Sequence, residues 1–403
     1  MNSPARLYFM VIKSFFAVLL LCSSPCFAAQ PAAPLGASYP CYKGQLADAQ
    51  ARLGGMKTAG FGSVSFVPVY AYEGLNRVDF SQSPDEAELG TAVEAALRFG
   101  LAVVLKPHLD PKMYQPGFDS AKSDEDGWRI RTSWRGFFDV DPMCPDYRQK
   151  IIFAQLAMLR GVFARIESSG APVKINPVRL ELGVELMNSM VYSPRQWLKL
   201  LGATRKEVKR LGLEGKVKLS HNFCHHFEMP EDFVLRMTPK GRAALAEYIR
   251  GLDGISLSQY MDLTAAMPPA ERGKRMPAPA EIAAALVKYD NDLRDNILGG
   301  LLGLKPQEIP PLYIGEFGVG TGGLRHPNIW DGTLSPDEEK ELDHEIAQAY
   351  RGLLEYLRHD EGRRAQGAAL WLTGAHYDVF GWQDPRNAIP EARDALVSGL
   401  AAR

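Results

Sequence analysis

The octapeptide Val178-Arg179-Leu180-Glu181-Leu182-Gly183-Val184-Glu185 decides how this chain is read. Leu180, Leu182 and Val184 fall on one face, and Glu181, Gly183 and Glu185 on the other, which is the period of a β-strand. The run ends in Leu186-Met187-Asn188-Ser189, a loop signal. The pattern returns elsewhere. Val103 and Leu105 oppose Lys106 and His108; Ile255 and Leu257 oppose Ser256, Ser258 and Tyr260; Leu370 and Leu372 oppose Trp371 and Thr373. Each run thus has an aliphatic face suited to packing under helices and a second face carrying polar or aromatic groups.

Working outward, strands are expected near 35–40, 62–69, 101–107, 178–184, 216–221, 254–260, 311–316 and 367–373. Helical patterns separate them, clearest at 45–58, 86–99, 146–168, 194–211, 239–250, 278–298 and 338–358. Strands alternating with helices indicate βαβ units and a parallel sheet, and eight of them fit a closed α/β barrel of the (β/α)8 TIM type. No G-x-G-x-x-G follows the first strand, so an open dinucleotide-binding sheet has little support. For 403 residues a length of roughly 150 per domain suggests two or more domains, but α/β barrels of this size are routinely single.

The N-terminus is set apart. Arg6 and Lys13 precede the apolar run Ser14 to Cys22 and the small-residue exit Cys26-Phe27-Ala28-Ala29, the order of a secretory signal peptide. The run is shorter than the roughly 20 residues of a membrane span. The expectation is a signal peptide at 1–29, one barrel domain at 30–403, and export to the periplasm or beyond the cell. Leu21 and Pro25 stand where small residues precede a lipidated cysteine, so cleavage is expected rather than lipidation. Cys41, Cys144 and Cys224 lie beyond the leader; export permits one disulfide, with Cys41–Cys144 the candidate pair.

A net charge of −1 gives no basic excess for nucleic acid or an anionic membrane surface. The cluster His221, Cys224, His225 and His226 lacks zinc-site spacing and reads as a polar loop above a strand. No metal or cofactor is expected, and the protein is expected to be a monomer.

In a barrel the inward face opens at the C-terminal strand ends into the site mouth. Two carboxylates stand at such ends, Glu185 after the fourth strand and Glu316 after the seventh, each followed by loop residues. Glycoside hydrolysis needs two carboxyl groups flanking the scissile bond, one protonated and one ionised. Glu181, deeper on the inward face, is expected to pair with Arg179 or Lys106. Around the pair, Lys106, His108 and Asp110 form a polar ladder able to bind hydroxyls, and His221 and Asn222 end the fifth strand. Tyr260 ends the sixth, placed to hydrogen-bond Glu316; Trp371 ends the eighth, its flat face suited to a sugar ring. Tyr70, Tyr72, Trp128, Trp134, Tyr377, Phe380 and Trp382 are candidate stacking aromatics on loops, and 109–144 reads as a cleft wall. The glycine run Gly318 to Gly323 lacks the Lys-Ser/Thr ending of a phosphate loop. His376 and Asp378 have no G-x-S-x-G partner for an esterase triad.

These residues resemble the clan of (β/α)8 retaining glycosidases with glutamates after strands four and seven, and within it glycoside hydrolase family 113, which includes β-mannanases. The resemblance rests on Leu105-Lys106-Pro107-His108-Leu109-Asp110, Trp134-Arg135-Gly136, Leu182-Gly183-Val184-Glu185-Leu186 and Ile314-Gly315-Glu316-Phe317-Gly318, in that order over most of the chain. It implies Glu185 as acid/base and Glu316 as nucleophile. It also implies Lys106, His108, Asp110, Trp134, Arg135, Asn222, Tyr260 and Trp371 as substrate-binding residues. Val184 stands where many members carry an asparagine that contacts the sugar 2-hydroxyl, so that contact does not carry over.

The expected activity is a retaining, endo-acting hydrolase of a β-linked polysaccharide, a β-mannan or a bacterial exopolysaccharide. The rival is a non-catalytic polysaccharide-binding barrel, which a Glu316→Gln variant would leave almost unchanged.

Overall fold

Helix endings show how strands and helices are joined. The computed structural model describes residues 33–111, 135–170, 175–225, 234–260, 262–318, 335–358, 365–371, 379–382 and 388–402. Helix α5 (Pro194–Arg210) starts with proline in its first turn, ends with Lys209 and Arg210, and buries Trp197, Leu200, Leu201, Thr204 and Val208 as one stripe. It stops at Gly212, whose φ of 67° is left-handed. There Leu213 N–H reaches Val208 O at 2.9 Å and Gly212 N–H reaches Lys209 O at 3.1 Å, a paired C-cap that leads straight into the next strand. Helix α2 (Glu86–Arg98) ends the same way through Gly100, with φ 72°.

The other helices are α1 (Ala49–Thr58), α3 (Ala154–Ser168), α4 (Met187–Tyr192), α6 (Pro239–Arg250), α7 (Pro279–Asn291), α8 (Pro336–Tyr356) and α9 (Pro390–Ala401). Two of the expected single helices are divided: the π-helical segments Asp146–Phe153 and Asp292–Leu301 adjoin α3 and α7. The pattern reading missed α4 and α9.

The strands are β1 (Leu35–Cys41), β2 (Ser63–Gly74), β3 (Arg77–Asp79), β4 (Ala102–Leu105), β5 (His108–Pro111), β6 (Val178–Val184), β7 (Val217–His225), β8 (Gly254–Gln259), β9 (Leu312–Phe317) and β10 (Ala368–Leu370). Eight of these pair in parallel in the order β1-β2-β4-β6-β7-β8-β9-β10, and β10 pairs back to β1 from Leu35↔Ala368 to Ala37↔Leu370. The sheet therefore closes into the expected barrel. Strands β3 and β5 are short additions on β2 that run on above the rim.

The outward faces are aliphatic and buried, as expected: Val103, Leu105, Leu180, Leu219, Ile255 and Leu257. The interior differs from the branched aliphatic layers common in such barrels. Ser65, Lys106, Glu181, Ser220, Asn222 and Ser256 are all at least 98% buried. Glu181 is fully buried with its Oε1 4.0 Å from Arg179 Nε, so Arg179 is the nearer of its two expected partners. No described helix is long and apolar enough to cross a membrane.

Two register shifts re-aim side chains near the top of the barrel. Between β6 and β7, Glu181 faces Ser220 but Val184 faces Asn222, so β6 carries an extra residue. The strict alternation expected through Glu185 fails here. A Cβ on Gly183 would lie 2.5 Å from the His221 ring and 2.6 Å from Trp197 of α5, so Gly183 lies against the helix layer and does not share Glu181's inward face. Between β8 and β9 a second shift falls at Gly315, one residue before Glu316. Such bulges turn a side chain toward a site.

His221 also departs from expectation. Its Nδ1 meets Tyr248 OH at 3.0 Å and its ring packs edge-on to Trp197, centroids 4.9 Å apart, so it belongs to the packing between β7 and the helices and not to the mouth. His221 and Cys224 lie within strand β7, not in a loop; the side chains of His225 and His226 fall outside the described residues. Neither Cys41 nor Cys144 is in a disulfide. Cys41 Sγ donates to Tyr39 O at 3.0 Å and Cys144 Sγ to Asn76 O at 3.7 Å, so the candidate Cys41–Cys144 bridge is not formed.

Candidate active site

The ends of β4 and β8 and the start of β5 bring three of the sequence-selected residues onto Glu316 of β9. Its Oε1 is met by Lys106 Nζ at 2.6 Å and by His108 Nε2 at 3.1 Å, and Tyr260 OH donates to its Oε2 at 3.1 Å. Glu316 is 3% exposed. Burial pushes its carboxyl upward, but the Lys106 ammonium, the His108 hydrogen bond and the Arg135 charge outweigh it and hold the group well below the usual carboxylate range. Glu316 is thus an ionised, hydrogen-bonded carboxylate in a dry setting.

Lys106 uses all three of its donors. Besides Glu316 it reaches Gly315 O at 3.1 Å and the Asn222 amide oxygen at 3.0 Å. That places the Asn222 nitrogen 2.8 Å from Ser258 Oγ, the orientation in which both ends of the amide find complementary partners. Gly315 is required by this packing, because a Cβ there would lie 2.2 Å from the Asn222 amide.

His108 is fully enclosed, which lowers its pKa, and Arg135 lowers it further against the pull of Glu316 and Asp110. The neutral ring therefore donates from Nε2 to Glu316 and leaves Nδ1 as an acceptor, without a hydrogen-bond partner among the described residues. Trp371 stacks on the imidazole with ring centroids 5.8 Å apart and planes 8° apart.

Glu185 stands at the end of β6 and is 2% exposed. Its φ is 54°, a left-handed conformation that costs a non-glycine residue on the order of 1–3 kcal/mol and recurs at functional sites. Asn222 O accepts its backbone N–H at 2.9 Å, which fixes the turn. Arg135, in the short turn Arg135–Phe137, donates from Nη1 to Glu185 Oε2 at 3.0 Å, from Nη2 to Asp110 Oδ1, and from Nε to Leu109 O at 3.3 Å.

A cavity of about 700 Å³ opens beside this cluster, with His108, Asp110, Arg135, Trp371, Tyr39 and Tyr42 in its lining. The volume lies in the range of small-molecule pockets. Tyr42 was not singled out from the sequence, although it follows directly on β1, the same strand-end signal that found the other residues.

Trp134 and the loop aromatics Trp128 and Tyr377, with His376, Asp378 and the glycine run beyond Gly318, lie outside the described residues. The remaining loop aromatics are packed, not presented. Tyr70 accepts a hydrogen bond from Gln155 at 3.2 Å, and Tyr72 lies 4.6 Å from the Phe138 ring. Phe380 and Trp382 stack at 4.4 Å against Phe61. Burying their large apolar area outweighs exposing it. Among the described residues no group of three His, Cys, Asp or Glu side chains is arranged to hold a metal ion.

No family model matches the sequence, and no curated protein matches it. Solved structures do. One, a β-1,4-mannanase of glycoside hydrolase family 113, is 18% identical with a TM-score of 0.53, over 93% of this chain and 100% of that one. A complex structure of a β-1,4-mannanase of the same family is also 18% identical, with a TM-score of 0.50 over 92% and 99% of the two chains. At that identity the likeness establishes the closed (β/α)8 fold.

Proposed function

On this barrel and this cluster of carboxylates, we propose that the chain is a retaining glycoside hydrolase that cleaves a β-linked polysaccharide within the chain, with β-mannan the first substrate to test. The observation that carries the reading is the setting of Glu316: a buried carboxylate kept ionised by Lys106, His108 and Tyr260 at the mouth that also holds Glu185. The likeness to β-1,4-mannanases supports the choice of polymer.

In the first step Glu316 attacks the anomeric carbon while the bond from that carbon to the leaving oxygen breaks. Glu185 delivers its proton to that oxygen, giving a glycosyl ester on Glu316. In the second, Glu185 takes a proton from water, whose oxygen attacks the same carbon and frees Glu316. Two inversions retain configuration; this requires carboxyl groups about 5–5.5 Å apart. Lys106 and Tyr260 hold the nucleophile ionised before attack and stabilise it again as the leaving carboxylate. Trp371 and His108 offer a stacked pair beside the cavity against which a sugar ring can lie. Residues 1–29 serve as a signal peptide in this reading, so the enzyme works in the periplasm or outside the cell, as a monomer.

The test is incubation of the purified protein and its Glu316→Gln variant with β-mannan, glucomannan, β-glucans, xylan and chitosan. Reducing ends are counted and product anomers followed by NMR at early times. The expected result is β-configured product from one polymer, abolished in the variant. Polymer binding that survives in the variant, with no release by either protein, would instead mark a binding barrel.

A further inference from the structure

Arg135 sits on the group that must act as an acid. Its guanidinium is 3.0 Å from Glu185 Oε2, and an opposite charge at hydrogen-bond distance favours the ionised carboxylate. Yet Glu185 has to carry a proton when the glycosidic bond breaks. The same guanidinium also holds Asp110 through Nη2. Both side chains of that second pair are largely enclosed, 17% and 14% exposed, so their charges are poorly screened.

Other titratable and charged groups are described in the same cluster. Lys106, directly after β4, and Glu316 from β9 neutralise one another. His108 is held neutral by burial, with its Nδ1 3.9 Å from Asp110 Oδ1. The Tyr42 phenol is pushed up to about 12, by burial first and by Asp110 next, with Arg135 opposing. Tyr260 bonds to Glu316. Arg135 thus touches both Glu185 and Asp110, two groups of the same sign.

Given the reading of Glu185 as acid/base, we infer that Asp110 is a positioning residue acting through Arg135: it shares the guanidinium and so lets Glu185 take up the proton that the first step needs. Without Asp110 the whole charge of Arg135 would fall on Glu185 and hold it ionised. Asp110 need not touch the substrate to do this.

The experiment is a carboxyl NMR titration of protein labelled with carbon-13 glutamate, the Glu185 signal being identified by its loss in Glu185→Gln. In Asp110→Asn the Glu185 midpoint should move at least about one pH unit lower; in Asp110→Glu, which keeps the charge, it should stay near the wild-type value. An unchanged midpoint in Asp110→Asn overturns the inference. A higher one does so too, because it would mean that Asp110 merely holds Arg135 in place. Should Asp110→Asn fail to fold, Arg135→Met replaces it: the Glu185 midpoint must rise there, and a fall or no change sinks the idea. The titration needs no substrate, so the two readings fail separately. A shifted midpoint in a protein that releases no sugar keeps the coupling and discards the hydrolase; sugar release with an unshifted midpoint does the reverse.

Discussion

Lys106 and Glu316, from opposite sides of the barrel, form an ion pair of 2.6 Å with side chains 0% and 4% exposed. Neither charge has water to fall back on, and each supplies the other's main compensation. Removing one partner of such a pair leaves an uncompensated buried charge, which costs more than the intact pair contributes.

Lys106→Met should therefore destabilise the fold by about 3–5 kcal/mol, read by urea unfolding at neutral pH. The double variant Lys106→Met/Glu316→Gln should lose clearly less than the sum of the two single changes. Additive losses would mean that the pair is not coupled.

His221 makes stability depend on pH. Burial lowers its pKa from 6.5 to about 3, so between those values the unfolded chain binds the extra proton. Stability attributable to this group is complete above pH 6.5 and is lost as pH falls toward 3. His221→Phe should lower stability at pH 7 by about 1–3 kcal/mol, because Tyr248 OH loses its partner. It should also flatten the decline from pH 6.5 to 4. An equally steep decline in the variant would show that other groups cause it.

The left-handed backbone at Glu185 separates two variants that both lack the carboxylate. Glu185→Gly and Glu185→Ala both lose the carboxylate and its bond to Arg135, but only glycine adopts a φ of 54° without strain. The glycine variant should be the more stable by about 1 kcal/mol. Thermal unfolding in one buffer decides it; equal midpoints would mean that the strain relaxes elsewhere.

Gly315→Ala adds one methyl where the Asn222 amide lies 2.2 Å away. Overpacking of this kind costs about 1–3 kcal/mol. Displacing Asn222 removes one of the three acceptors of Lys106, so turnover should fall at least about tenfold. Wild-type kcat with lowered stability would show that Asn222 moves without disturbing Lys106.

The barrel was legible because its signals are local. Alternation in Val103 to His108 and Ile255 to Tyr260 needs only neighbouring residues. Glu185 and Glu316 could be picked out as strand-end carboxylates for the same reason. Loop aromatics misled because sequence does not separate an exposed ring from one that fills a seam, as Tyr72 does against Phe138.

By itself, then, the sequence determined the eight strands, the helices other than α4 and α9, and the strand-end carboxylates Glu185 and Glu316, since periodicity is a property of adjacent residues. Only the tertiary structure decided the register shifts before Val184 and Glu316, the helix-side position of His221, and the sharing of Arg135 between Asp110 and Glu185. Those depend on which atoms from distant strands compete for the same few cubic ångströms, and on charges whose effect is set by burial and distance.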